Sequence, residues 1–191
     1  LKRYIIILSN REYVLAVLTN GLLYSCLITF TIVGPFIVQS VMHYNAIIFG
    51  YIALSVGLFW FIGTMINRFL IHINLRRKTK LCLSVMFIVS IINFIASLYI
   101  DMNIYSLVIP TLLISVLGGI IFPNNFARAV SLFPTMSGSA NALFGGFIFI
   151  MTGITSALST YLKSTHLTSL AIDYMGLIVM CMLIATIRKY D

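Results

Sequence analysis

Charged residues are scarce in this chain. They make up 8% of its 191 residues, and only four of them are acidic, whereas a soluble domain carries roughly a quarter charged residues. Hydrophobic residues account for 61%, and a water-soluble fold of this length cannot cover that much apolar surface. The composition therefore excludes an ordinary soluble domain and predicts a protein that lies in a lipid bilayer.

Cysteine and histidine are also rare, with three of each. Cys26, Cys82 and Cys181 fall in three different apolar stretches, without a Cys-x-x-Cys pair or a neighbouring histidine. We therefore expect no metal, no cofactor and cysteines that pack as apolar residues. An intramembrane protease needs a Ser and a His at one membrane depth, and no His lies inside an apolar stretch. We predict no catalytic residues and no enzyme activity.

Six apolar stretches are each long enough to cross a bilayer, which takes about 20 residues. We call them spans one to six, and their predicted limits are 13–40, 46–70, 79–100, 104–122, 136–162 and 167–187. A close turn at Asp101 divides them into two triples. The sequence thus predicts an all-α, polytopic membrane protein with a 3+3 bundle. Residues 1–12, which are amphipathic, are predicted to be a cytoplasmic lead-in, and 13–191 the transmembrane domain.

Basic residues mark the predicted cytoplasmic side, because cytoplasmic loops retain Lys and Arg. Of the 12 Lys and Arg residues, only Lys163 falls on the opposite side. The others are Lys2, Arg3, Arg11, Arg68, Arg76, Arg77, Lys78, Lys80, Arg128, Arg188 and Lys189. The pattern predicts a multi-pass protein of the cytoplasmic membrane with both termini inside. The net charge of +8 is spread over short loops, so it indicates anionic lipid headgroups and not nucleic acid.

Span five has the most polar face of the six. The polar residues recur at helical spacing and are Ser137, Asn141, Gly145, Thr152, Ser156 and Ser159. A neighbouring stripe of small residues consists of Gly138, Ala142, Gly146, Gly153 and Ala157. Polar side chains avoid lipid and small residues allow close helix contact. We expect span five to be central, with the small stripe packed on another helix, and the apolar span six to be peripheral.

Spans one and two add further candidates for a substrate cavity. Asn20, Tyr24 and Thr31 fall near one face of span one, and Tyr51 shares its face of span two with polar neighbours. Gly34-Pro35 interrupts span one and predicts either a structural kink or a bend in a cavity wall. The predicted cavity residues are Asn20, Tyr24, Thr31, Tyr51, Asn141, Gly145 and Thr152.

Three segments share a pattern with one transporter family. The first is the opening run at 4–13 with the later Gly34-Pro35-Phe36. The second is Gly63-x-x-x-Asn67-Arg68 with Arg76-Arg77-Lys78, and the third joins FPNNFARA at 122–129 to SGSANAL at 137–143. Together they resemble the C-terminal half of a major facilitator superfamily transporter, in particular the bicyclomycin-resistance (Bcr/CflA) drug exporters. Asn67 departs from the family pattern, which has an acidic residue there.

The resemblance implies half of a proton-coupled exporter of small amphipathic molecules. Such a chain is a half-transporter that needs an N-terminal six-helix partner, or a truncated or split gene product. A homodimer is the third option, although two identical halves would still lack a coupling acid. The acids here, Glu12, Asp101, Asp173 and Asp191, are expected at boundaries or the terminus, so the coupling acid is expected in the partner. Gating or loop candidates, each of which could instead serve as a topology anchor, are Arg68, Arg76, Arg77, Lys78 and Arg128.

A six-helix membrane scaffold or a channel-like protein is the alternative. A channel needs a selectivity filter of charges or aligned carbonyl groups, and the sequence shows neither. A scaffold needs no cavity, so it predicts that the polar face of span five is buried against neighbouring helices. Accessibility at Asn141 and Thr152 separates the scaffold from the transporter, and accessibility only near the membrane ends favours the scaffold.

Overall fold

The computed structural model describes residues 2–99, 103–161 and 167–187, and within these residues it contains helices and no strand. The α-helices are α1 (Lys2–Ser9), α2 (Arg11–Phe36), α3 (Ala46–Phe69), α4 (Leu75–Tyr99), α5 (Ile104–Ser131), α6 (Ser137–Tyr161) and α7 (Leu167–Ile187). Helices α2 to α7 are long and apolar enough to cross a membrane. They correspond to spans one to six, so the predicted all-α, polytopic fold class is confirmed.

Asparagine side chains fix where three of the helices begin. Asn10 and Asn45 each accept a hydrogen bond from the backbone N–H three residues later, at 3.0 and 2.9 Å. Asn103 forms a reciprocal capping box with Ser106 at the start of α5. These side chains satisfy N–H groups that have no partner within the first helical turn.

Two helices extend at least one turn beyond their predicted limits. α4 begins at Leu75 and not at 79, which places the basic cluster in its first turn. α5 continues through Pro123 to Ser131, past its predicted end at 122. Bilayer helices tolerate proline because neighbouring helices and local adjustments satisfy the freed backbone groups.

The Gly34-Pro35 interruption precedes a wider helical turn. Pro35 lies inside α2 and supplies no N–H to the helical ladder. A π-helical turn (Ile37–Val41) follows, and the N–H of Met42 donates to the carbonyl of Ile37 at 2.9 Å. The predicted irregularity is thus present at this end of α2, and His43, at φ 58°, lies in the turn to α3.

The packing pattern is nearly unchanged when the two triples of helices are exchanged. α2 packs on α6 as α5 packs on α3, and α2 packs on α7 as α5 packs on α4. The two remaining major contacts, α2 with α5 and α4 with α7, pair equivalent members of the triples. This arrangement agrees with the 3+3 division and is the pattern of transporters built from inverted repeats.

Glycines allow close contact between α3 and α5. A Cβ atom on Gly63 would overlap the carbonyl oxygen of Val116, and one on Gly119 would overlap that of Trp60. The small stripe predicted on span five behaves differently, since a Cβ on Gly138, Gly146 or Gly153 would meet nothing within 4 Å. Ala142 and Ala157 are exposed. The prediction that this stripe packs on another helix of the chain is wrong, because α6 meets α2 through a different face that includes Phe144 and Ile148.

Helix α7 is more enclosed than its composition predicts. Tyr174, Ile178 and Cys181 are buried in the main core, where α7 meets α2 and α4. A larger share of α7 than of α6 lies inside the bundle. The prediction that span five is central and span six peripheral is therefore wrong. Lipid tails are as apolar as leucine side chains, so an apolar sequence does not show which face meets lipid. Cys26, Cys82 and Cys181 are free thiols, and all three are buried, as predicted for cysteines that pack as apolar residues.

Candidate substrate cavity

A cavity of about 290 Å³ lies between α2, α5 and α6. Its wall consists of Tyr24, Phe122, Phe126, Asn141, Phe144, Gly145, Ile148 and Phe149. Tyr24, Asn141 and Gly145 are among the predicted cavity residues, and the structure brings these three together. The volume lies at the lower end of the range for small-molecule sites.

Aromatic rings form most of the cavity wall. Tyr24 meets Trp60 edge to face at 6.1 Å between ring centroids, and Trp60 meets Phe122 at 5.7 Å. Phe126 and Phe144 meet edge to face at 4.9 Å. Such contacts hold the rings in fixed orientations. An aromatic wall with electron-rich ring faces suits a flat apolar molecule that carries a positive charge.

Two polar groups in the wall are available to a ligand. The Tyr24 hydroxyl and the Asn141 amide make no hydrogen bond to another residue in the described part of the chain. Asn141 is exposed and Tyr24 is half-buried. Together they offer donors and acceptors beside the aromatic surface, which is the usual composition of a small-molecule site.

Asn20 supports the cavity wall from behind. It lies one helical turn before Tyr24, is fully buried, and its Nδ2 donates to the carbonyl oxygen of Phe122 at 3.0 Å. This hydrogen bond ties α2 to α5 at the level of the wall. Asn20, which was predicted to line the cavity, therefore contacts the backbone of a wall residue and does not itself line the cavity.

The remaining three predicted cavity residues lie away from the cavity wall. Thr31 is exposed and its hydroxyl donates to the carbonyl of Ile28 at 2.8 Å. Tyr51 is 67% exposed on α3. Thr152 is buried, and its hydroxyl donates to the carbonyl of Phe149 at 3.0 Å. Polar neighbours on the same helical face do not establish where that face opens.

The polar face of α6 is open at one end and closed at the other. Asn141 is exposed and Gly145 is half-buried, whereas Thr152, Ser156 and Ser159 are buried. A scaffold predicts that this face is buried against neighbouring helices, with accessible positions only near the membrane ends. The open first turns of α6 border the cavity, whereas the buried positions further along the helix match the scaffold prediction.

Among the gating candidates, Lys78 has the most distinctive position. It is 4% exposed, and its Nζ donates to Oδ1 of Asn67 at 2.6 Å and to the carbonyl of Leu70 at 3.4 Å. Asn67 also exchanges two amide hydrogen bonds with Asn124 on α5, at 3.0 and 3.1 Å. The three side chains join the ends of α3 and α5 to the start of α4. Sequence reasoning placed Lys78 in a loop.

Arg128, another gating candidate, is part of an ion pair within this chain. Its Nε donates to Oε1 of Glu12 at 2.5 Å, and both side chains are about three-quarters buried. The pair joins the end of α5 to the start of α2. Beside it, the Tyr13 hydroxyl donates to the carbonyl of Ala140 on α6 at 2.5 Å. Arg68, Arg76 and Arg77 are exposed.

Sequence reasoning missed the aromatic part of the wall. Among the aromatic residues, it named only Tyr24 and Tyr51 as cavity candidates. Two spacings could have found them. Phe122 and Phe126 lie one helical turn apart, and Asn141, Gly145 and Phe149 form a run at four-residue intervals, so each set shares one helix face.

A stretch of 85 residues is 38% identical to Multidrug resistance protein D of Escherichia coli (strain K12). It covers 43% of this chain and 22% of the length of that protein. No family model and no solved structure matches the chain. With six helices that can cross a bilayer, the similarity makes this chain a multi-pass, transporter-like membrane protein.

Proposed function

We propose that the chain is the C-terminal half of an exporter of small amphipathic molecules in the cytoplasmic membrane. The observation that carries the proposal is the aromatic cavity with the free polar groups of Tyr24 and Asn141. The similarity to a protein named for multidrug resistance supports the same substrate class.

The cavity supports the need for a second half because its wall is incomplete in this chain. Asn141 and Phe149, two of its lining residues, are exposed. α3 is the least enclosed of the six spanning helices, and the small stripe on α6 has open space before it. A bundle from an N-terminal six-helix half would close the cavity, and small residues permit that close approach.

Binding is testable in this chain alone, because it contains a single tryptophan and that residue packs on the cavity wall. The purified chain in lipid nanodiscs is titrated with rhodamine 6G, a flat amphipathic cation, while Trp60 fluorescence is recorded. We expect saturable quenching. Tyr24→Ala and Asn141→Leu should each weaken binding by about tenfold, equal to about 1.4 kcal/mol.

Tyr51→Ala is the matched control for Tyr24→Ala, since both remove a phenol but Tyr51 lies outside the cavity. It should leave the binding curve unchanged. Quenching that never saturates, or that is equal in all variants, would show partition of the dye into lipid and would refute the proposed site.

Transport is tested separately by dye efflux from intact cells. The chain alone should leave rhodamine 6G accumulation unchanged, because alternating access needs both walls of the cavity. Co-expression with a six-helix segment encoded directly upstream should lower accumulation, and Tyr24→Ala should remove that effect. Full efflux by this chain alone would contradict the half-transporter proposal.

A further inference from the structure

A carboxyl group lies within the bundle at the end far from the substrate cavity. Asp173 is six residues along α7 from Leu167, about 9 Å at the rise of an α-helix. Its Oδ2 has no contact with solvent, although the residue as a whole is half-buried. Sequence reasoning placed Asp173 at the boundary of the bilayer and found no acid at depth. In the structure, the buried Oδ2 and the contact with Ser159 place the carboxyl group against α6.

The surroundings of Asp173 are polar and carry no basic side chain among the described residues. The side chain of Ser159 on α6 hydrogen-bonds the carboxyl group. Cys26 on α2 and Tyr174 on α7 are the titratable groups near enough to interact with it electrostatically. The Tyr174 hydroxyl is paired with the Thr111 hydroxyl on α5 at 3.1 Å.

The second oxygen of the carboxyl group has no partner in the described part of the chain. No described group donates a hydrogen bond to Oδ2 of Asp173. One turn from Ser159, the hydroxyl of Ser156 is also buried without a described partner. A bare carboxylate oxygen shielded from water and without a donor is strongly disfavoured. A bound proton removes the charge, and membrane-embedded acids in such settings are typical proton carriers.

We propose that Asp173 is a proton-binding site at the interface of α2, α6 and α7. The carboxyl group holds its proton while these helices are packed as they are here. When the interface opens to water, the O–H bond breaks, the proton passes to water, and the hydrated carboxylate remains. Repacking of the helices requires a proton to be taken up again.

Helix α6 connects this site to the substrate cavity. Ser159, which hydrogen-bonds Asp173, and Asn141, which lines the cavity, lie on the same helix. Movement of α6 that opens one region therefore changes the other. Proton binding itself needs only this chain, whereas its coupling to export rests on the proposed function.

Infrared difference spectroscopy of the chain in nanodiscs tests the proposal directly. Spectra recorded while pH is stepped above the range in which exposed carboxyl groups titrate should contain the C=O stretching band of a protonated carboxylic acid. Asp173→Asn, which keeps the shape of the side chain, should abolish this band. Ser159→Ala should shift its frequency, because a hydrogen bond to the carboxyl group is lost. Glu12→Gln is the control, since Glu12 is paired with Arg128, and should leave the band unchanged.

A band that survives Asp173→Asn would overturn the proposal. So would a band that Asp173→Asn removes but that Ser159→Ala leaves at the same frequency, because the carboxyl group would then lie outside this interface. Circular dichroism verifies that each variant is folded. If Asp173→Asn does not fold, the frequency shift of the band in Ser159→Ala supplies the readout. A missing band together with intact rhodamine 6G binding refutes the proton site alone. A band present without dye binding refutes the transport proposal alone.

Discussion

The ammonium group of Lys78 lies 2.6 Å from the amide oxygen of Asn67, in a site that is closed to solvent. The described residues place no carboxylate in hydrogen-bonding contact with it. An amide and a backbone carbonyl are therefore its hydrogen-bond acceptors, and the same amide also joins α3 to α5 through Asn124. The basic motif here joins three helices at one end of the bundle.

This cluster predicts unequal effects when its members are removed. Asn67→Ala should lower the free energy of unfolding by about 2 to 3 kcal/mol, because it leaves a buried ammonium group and the Asn124 amide without their partner. Lys78→Met should change it by less than about 1 kcal/mol, since removing a buried charge offsets the lost hydrogen bonds. Steric trapping in bicelles measures both.

The double variant Asn67→Ala with Lys78→Met provides the control for this pair. It should be more stable than Asn67→Ala alone, because the buried charge that lacked its partner is gone. If the two single effects simply add, the residues are not coupled, and Asn67 is not the partner that satisfies the buried ammonium group of Lys78.

Glycine substitutions distinguish the observed helix contact from the one predicted from sequence. Gly63→Ala should destabilise the fold by about 1 to 3 kcal/mol, because the new methyl group would overlap the Val116 carbonyl and force α3 and α5 apart. Gly146→Ala, which adds the same group on α6 in open space, should have little effect on this chain. Equal melting temperatures for the two variants would contradict the packing of α3 on α5.

Sequence reasoning located the helices well because length and hydropathy alone determine which segments can cross a bilayer. It assigned Tyr24, Asn141 and Gly145 to one cavity because they lie on the polar faces of spans one and five. It could not distinguish Asn141 from Thr152, because both lie on that face and only the neighbouring helices decide which is covered. Lys78 and Asp173 were placed at boundaries for a similar reason, since charge indicates a preference for water but not whether neighbouring helices cover the group.

The ion pair between Glu12 and Arg128 should make a small contribution to stability. Glu12→Gln should lower the free energy of unfolding by about 1 kcal/mol, as is usual for a partly solvated pair. Exchange of the two charges, Glu12→Arg with Arg128→Glu, should keep part of the free energy of unfolding that Glu12→Gln loses. Arg68→Gln, a change at an exposed side chain, should have no effect. Failure of the exchange together with normal stability of Glu12→Gln would show that the pair is incidental.

The predicted membrane orientation is testable with reporter fusions. Fusions after Arg76 and after Asp101 should report the cytoplasmic and the opposite side, because 11 of the 12 basic residues fall on one side of the six-span topology. Equal signals from the two sites would contradict the number of crossings between them. A reversed pair of signals would leave the fold intact and would reverse the orientation of both termini.

Cysteine accessibility along α6 tests where the cavity opens. Asn141→Cys should react rapidly with a charged, membrane-impermeant maleimide, since its side chain is exposed at the cavity wall. Thr152→Cys should react slowly, because the position is buried on the same helical face. The native cysteines are buried and contribute little background. Rhodamine 6G should slow labelling at 141 and leave that at 152 unchanged, whereas a scaffold without a cavity predicts labelling at 141 that the dye does not slow.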